Sequence, residues 1–150
     1  MTRTAKIILL GAWALCMLSP RMNSQSNQQI SSVELPRDLA RVLVDYENAW
    51  QSYDGKKVAA LFTDSGYVLS NGHEPIMGRA AIERFYAGAG GPLSLRAFFF
   101  ARQGEIGYII GGYSRRRGDP DSGKFTLALR RSRDARWLIV SDMDNSNKAP

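Results

Sequence analysis

The sequence is poor in the residues that carry thiol and metal chemistry. Its 150 residues include one cysteine, Cys16, and one histidine, His73. Cys16 lies in an apolar N-terminal stretch, which leaves the rest of the chain without a thiol, a disulfide or a thiolate metal site. A zinc centre would need carboxylates grouped around a lone imidazole, unlike the usual ligand sets, so no metal and no cofactor is expected. Long hydrophobic runs are also missing. The twelve residues 7–18 are apolar, but they would make only about 18 Å of helix, short of a bilayer core.

What is present at the N-terminus resembles a secretory signal. Arg3 and Lys6 precede the apolar run, Pro20 breaks it, and a stretch rich in Ser, Asn and Gln follows. These features predict a cleaved signal peptide over residues 1–26, with Ser24-Gln25-Ser26 before the cut, and an exported, periplasmic or secreted, product. A lipoprotein acylated at Cys16 is a rival, but Leu15 is larger than lipid-modification motifs favour. Removing Arg3, Lys6 and Arg21 takes the formal net charge from +6 to +3. The remaining basic excess is local, at Arg115–Arg117 and at Arg130, Arg131 and Arg133. Solvated strand ends explain such clusters, so no nucleic-acid partner is expected.

Residues 27–35 form a predicted flexible linker, with Ser31 and Glu34 spaced as a capping box and Pro36 suited to a first helical turn. Over residues 37–53, Leu39, Val42, Leu43, Tyr46, Trp50 and Tyr53 recur at helical spacing. Asp54 can cap a second helix over 56–62, and 79–87 makes a third. Residues 67–70 are a short strand candidate. Then the period changes to that of strands, at 93–102, 105–115, 124–133 and 136–144, joined by turn residues. Gly107, Gly111 and Gly112 suggest bends or bulges in the second of these. Helices followed by curved antiparallel strands predict an α+β two-layer domain.

The order and spacing of several short motifs resemble one superfamily. An aromatic residue and Asp54 close the first helix, and Ala60-Leu-Phe-Thr-Asp64 ends the second. Gly78-Arg-Ala-Ala-Ile-Glu-Arg-Phe85 opens the third, and Trp137-Leu-Ile-Val-Ser-Asp-Met-Asp-Asn-Ser146 closes the chain. Together, over roughly residues 37–147, they resemble the nuclear-transport-factor-2-like (NTF2-like) superfamily, and most nearly its SnoaL-like and domain-of-unknown-function 4440 types. The resemblance implies three N-terminal helices packed on a strongly curved antiparallel sheet, a cone with an internal pocket over residues 36–147, and often a homodimer. The run Phe98-Phe99-Phe100 must place rings on both sheet faces, which adds a sequence-level argument for a homodimer.

Ketosteroid isomerases, distant members of the superfamily, use a carboxylate base, a tyrosine and a protonated aspartic acid. The resemblance places Tyr46 at the position of the tyrosine, Ser70 with Asn71 beside it at the base, and Leu127 at the acid. Serine and asparagine cannot serve as a carboxylate base, and leucine cannot donate a proton, so ketosteroid isomerase activity is not expected. The more informative pair is Asp142 and Asp144, which strand alternation places on one face with Leu138 and Val140, about 7 Å apart. A buried carboxyl there could act as general acid or base. It could equally bind a ligand, or satisfy the indole N–H of a tryptophan such as Trp50. Tyr46 is open in the same way between a packed core residue and a ligand contact. His73, in a turn before Glu74-Pro75, fits an exposed loop histidine.

The candidate pocket residues are therefore Tyr46, Trp50, Ser70, Asn71, Leu127, Val140, Asp142 and Asp144, with Tyr46 and Asp142 as catalytic candidates. Three functions remain open. They are a binding domain for a small apolar ligand, a SnoaL- or isomerase-like enzyme using Asp142 and Tyr46, and an association module with a filled pocket. An open cavity lined by aromatics would favour the first two, and a cavity plugged by Trp50 would favour the third.

Overall fold

The computed structural model describes residues 30–148. The predicted signal peptide lies outside the described residues. Helices α1 (Arg37–Gln51) and α2 (Gly55–Ala59) lead into strand β1 (Phe62–Leu69) and the two-residue β2 (Ile76–Met77). After α3 (Arg79–Phe85), the strands β3 (Ser94–Gln103), β4 (Ile106–Ser114), β5 (Gly123–Arg131) and β6 (Trp137–Ser146) form a meander. The sheet has the order β2-β1-β6-β5-β4-β3 and is open at both ends. The helices cover one face. Leu39, Phe62, Ile82, Ile109, Leu129 and Ile139 are fully buried between the two layers.

Local sequence explains most of these elements. Helix α1 buries Leu39, Val42, Leu43, Tyr46 and Ala49, one stripe at 3.6-residue spacing. Pro36 is its N-cap rather than its first helical residue, and no side chain caps it. The capping box of Ser31 and Glu34 does not form, because both residues lie ahead of the helix. Among the leading residues, the Val33 N–H donates to the Ala97 carbonyl of β3 at 2.9 Å. The helix stops at Gln51, earlier than the apolar spacing suggests. Tyr53 takes a left-handed φ of 56°, and Asp54 then accepts from the Lys56 and Lys57 N–H groups to start α2. Helix α2 ends at Ala59, and Phe62, expected to be helical, opens β1 instead. A short apolar run fits either period, and here pairing of Phe62 with Ile139 of β6 decides it.

The sheet differs from the expected antiparallel one in a single pairing. Strands β1 and β6 run parallel: the three reversals of the meander set β6 antiparallel to β3, and the connection through α3 brings β3 in antiparallel to β1. Their register shifts between Phe62 and Tyr67. The displaced backbone is held by Arg79, whose Nε donates to the Phe62 carbonyl at 2.8 Å and whose Nη1 pairs with Asp64 at 2.9 Å. Strand β4 is not bulged against β5. Its glycines make clearance: a Cβ at Gly111 would run into the Arg96 carbonyl and the Phe125 ring. The irregularities fall in β3, between Ala97 and Phe99, and in β6, where Ala128 pairs with Ser141 but Leu129 pairs with Ile139.

Candidate functional site

The β6 irregularity sets the site. Val140 is the extra residue of a bulge, and one extra residue reverses the parity of everything after it. Trp137 and Ile139 point into the core before the bulge, and Asp142 does so after it. Asp142 therefore does not share its face with Leu138 and Val140, as strict alternation predicts. It lies in register between Leu127 of β5 and Val68 of β1, both almost fully buried. Asp142 itself is 5 % exposed, a carboxyl set in an apolar wall.

One side chain answers it. The Tyr46 hydroxyl, from the buried stripe of α1, donates to Asp142 Oδ2 at 2.9 Å. Burial pushes the Asp142 carboxyl from 3.8 up to about 7; the Tyr46 bond opposes the rise and neighbouring Asp144 adds to it. Tyr46 is raised well above the ordinary tyrosine value by burial and then by the Asp142 charge. Tyr86 is pushed up for the same two reasons. Near neutral pH the carboxyl can thus hold or release a proton, while the phenols stay protonated.

This pair borders a cavity of about 220 Å³ between helices and sheet. Its walls are Trp50 from α1, Tyr86 after α3, Leu95 from β3, Tyr113 from β4, and Phe125 and Leu127 from β5. Trp50 and Tyr86 meet edge to face, with ring centroids 5.6 Å apart. Two glycines allow the rings to lie flat along the sheet. Phe125 crosses Gly111, and Tyr113 crosses Gly123, where a Cβ would run into its ring. Trp50 stands at the wall and leaves the space open.

No protein-family model matches the chain. No curated protein matches it. Solved structures do. A ketosteroid isomerase-like protein from Erwinia carotovora atroseptica has a TM-score of 0.62 at 14% identity, over 75% of this chain and 95% of its own. A domain of unknown function with a cystatin-like fold from Nostoc punctiforme scores 0.60 at 14% identity, over 77% and 81%. An NTF2-like protein with a cystatin-like fold from Novosphingobium aromaticivorans scores 0.55 at 15% identity, over 75% and 82%. The fold is that of the NTF2-like proteins. At these identities the likeness establishes the fold and carries no activity.

Within this NTF2-like cone, Tyr46, Trp50, Ser70, Leu127, Asp142 and Asp144 all line the cavity. Asn71 and Val140 do not. Asn71 lies in the exposed turn after β1, and Val140 is displaced by the bulge. Ser70 and Leu127, which the isomerase resemblance puts in place of acids, do face the cavity; the acids of this site come instead from β6. Asp142 does not serve a tryptophan. That task falls to Asp38, which accepts from Trp137 Nε1 at 3.0 Å and pairs with Arg102 at 2.6 Å. His73 is exposed, its ring edge-on to Phe85 with centroids 5.2 Å apart.

Tyr86, Leu93, Leu95, Tyr113 and Phe125 were not among the candidates from sequence. The alternation Phe125-Leu127-Leu129 carries a signal for one of them, since all three are buried. Tyr113 gave none, because either face of a glycine-rich strand could have been the inner one. No group of three or more His, Cys, Asp or Glu side chains arranged to hold a metal occurs among the described residues.

Proposed function

We propose that the chain is an exported small-molecule-binding domain, taking a compact, largely apolar ligand into the cone with its polar end at Asp142 and Tyr46. The observation that carries this reading is an open, aromatic-walled cavity ending on a buried, hydrogen-bonded carboxyl. Ligand sites combine apolar walls with a few convergent polar groups in this way. At about 220 Å³ the space is small, below the usual range of pockets for drug-sized ligands, so the ligand is compact. The experiment is native mass spectrometry of protein purified from its own source. An adduct that is lost on denaturation, and is absent from a Leu127→Trp variant of unchanged stability, supports the reading. Only the unliganded mass in both, with no uptake of small aromatic probes, refutes it.

Proton transfer is the second reading, favoured by an Asp142 carboxyl near 7 beside the cavity. Asp142 would accept a proton from a carbon next to a carbonyl, and Tyr46 would orient it. Solvent deuterium incorporation into a cyclic ketone probe, lost in Asp142→Asn, is the expected result. Equal incorporation in both proteins would exclude it.

Export rests on residues 1–26, and N-terminal sequencing of the extracytoplasmic protein should begin at or within a few residues of Asn27. The homodimer rests on the outer sheet face, where Tyr67, Phe99, Tyr108, Ile110 and Met143 are exposed together. The finer SnoaL-like and domain-of-unknown-function 4440 assignments rest on the motifs alone.

A further inference from the structure

The charge of the cavity is opposite to that of the chain. Lysine and arginine number 20 against 14 aspartates and glutamates, yet among the described residues no cationic side chain lines the cavity and two carboxyls do. Elsewhere the aspartates of the described residues, all but the exposed Asp119, find cations. Asp38, Asp45, Asp54, Asp64, Asp121 and Asp134 each pair with an arginine or a lysine. Asp142 and Asp144 pair with none among the described residues.

Their oxygens are also short of donors. Tyr46 reaches Asp142 Oδ2 only, and among the described residues no fully buried side-chain polar atom lacks a partner. The second oxygen, Oδ1, therefore opens onto the cavity that Asp142 lines. Asp144 lies two residues further along the same face, in register with Phe125 as Asp142 is with Leu127, which sets the two carboxyls about 7 Å apart along the strand. Around them stand Trp50, Tyr86, Tyr113 and Phe125. Aromatic faces attract a cation through the ring quadrupole, most strongly where water is excluded. An anionic ligand would meet only like charge here. A neutral ligand would use Asp142 but would leave Asp144 without purpose.

We propose that the cavity selects a small organic cation, a protonated amine on an apolar body, with the ammonium between Asp142 and Asp144 and the body against Leu95 and Phe125. This rests on the binding reading above and adds the charge of the ligand. A positively charged chain repels amines in general, so preference for an amine must come from the site.

The test uses three probes of nearly one shape on the purified full chain, by isothermal titration calorimetry at pH 7.5 and low salt. They are 2-phenylethylamine, 2-phenylethanol and 3-phenylpropionate. The amine should bind at least tenfold more tightly than the alcohol, and the carboxylate more weakly than either. Asp144→Asn, a half-exposed position that makes no hydrogen bond or ion pair among the described residues, should weaken the amine at least fivefold more than the alcohol. If the alcohol or the carboxylate binds as tightly as the amine, or if Asp144→Asn leaves amine affinity unchanged, the charge inference fails and the binding reading survives. If none of the three binds, both fail.

Discussion

Replacing Asp142 by asparagine should abolish a fall in stability that the wild-type protein shows between pH 4.5 and pH 8. The folded carboxyl is pushed from 3.8 to about 7. Between those values the folded state holds a proton that the unfolded state has released. Stability must therefore be highest at the acid end of that window, fall as pH rises through it, and level off above it. At about 1.4 kcal/mol for each pH unit of displacement, the full fall is about 4 kcal/mol. Access of water through the adjoining cavity would hydrate the ion and reduce this, so about 1–4 kcal/mol is the range to expect. Asp38 works in the opposite sense at lower pH. Its carboxyl is held down by the Trp137 indole bond and the Arg102 charge, so its contribution is lost only on acidification below the ordinary carboxylate range. Urea unfolding followed by circular dichroism at several pH values measures the slope. Asparagine keeps the size and cannot ionise, so its profile should be flat where the wild type declines. Parallel profiles for the two proteins would refute the assignment of a raised, buried carboxyl.

Three further outcomes follow from the geometry. Tyr46→Phe removes the single donor to Asp142 Oδ2 and should destabilise by about 1–3 kcal/mol at pH 8, and by less at pH 4.5; equal losses at both pH values would count against it. Gly123→Ala places a methyl against the Tyr113 ring and the Asn145 carbonyl, and should cost about 1–3 kcal/mol in urea unfolding as an overpacking change; a neutral effect would mean that Tyr113 does not lie over that strand. Tyr108→Lys, on the exposed outer face beside Phe99, should convert a dimer into a monomer in sedimentation velocity with no change in circular dichroism, whereas an unchanged sedimentation coefficient would remove that face from the interface.

The parts legible in sequence are those set by neighbours along the chain. The stripe Leu39, Val42, Leu43, Tyr46 defines α1, and Asp54 announces α2 by a cap it does make. Glycine, proline and aspartate at the turns bounded the meander to within one or two residues. What stayed hidden depends on pairing between distant residues. No residue type demands a bulge at Val140, yet that single insertion moves Asp142 from the face of Val140 to the face of Ile139. The parallel pairing of β1 with β6 leaves no local trace either. Tyr46 and Asp142 were both singled out by sequence, but they are 96 positions apart and their bond required the fold. The same holds for Asp38 and Trp137, 99 positions apart, where the indole partner proved to be a different aspartate from the one considered.

The most direct measurement of the central claim, that the cone holds a ligand cavity ending at Asp142, is methyl NMR of the protein titrated with 2-phenylethylamine, 2-phenylethanol and 3-phenylpropionate in turn. Leu93, Leu95 and Leu127 line the cavity, while Ile106 and Ile110 are exposed methyl-bearing residues outside it. At least one probe should shift the three leucines in a saturable way and leave the two isoleucines in place. Shifts confined to Ile106 and Ile110, or no saturable shift with any probe, would contradict the account.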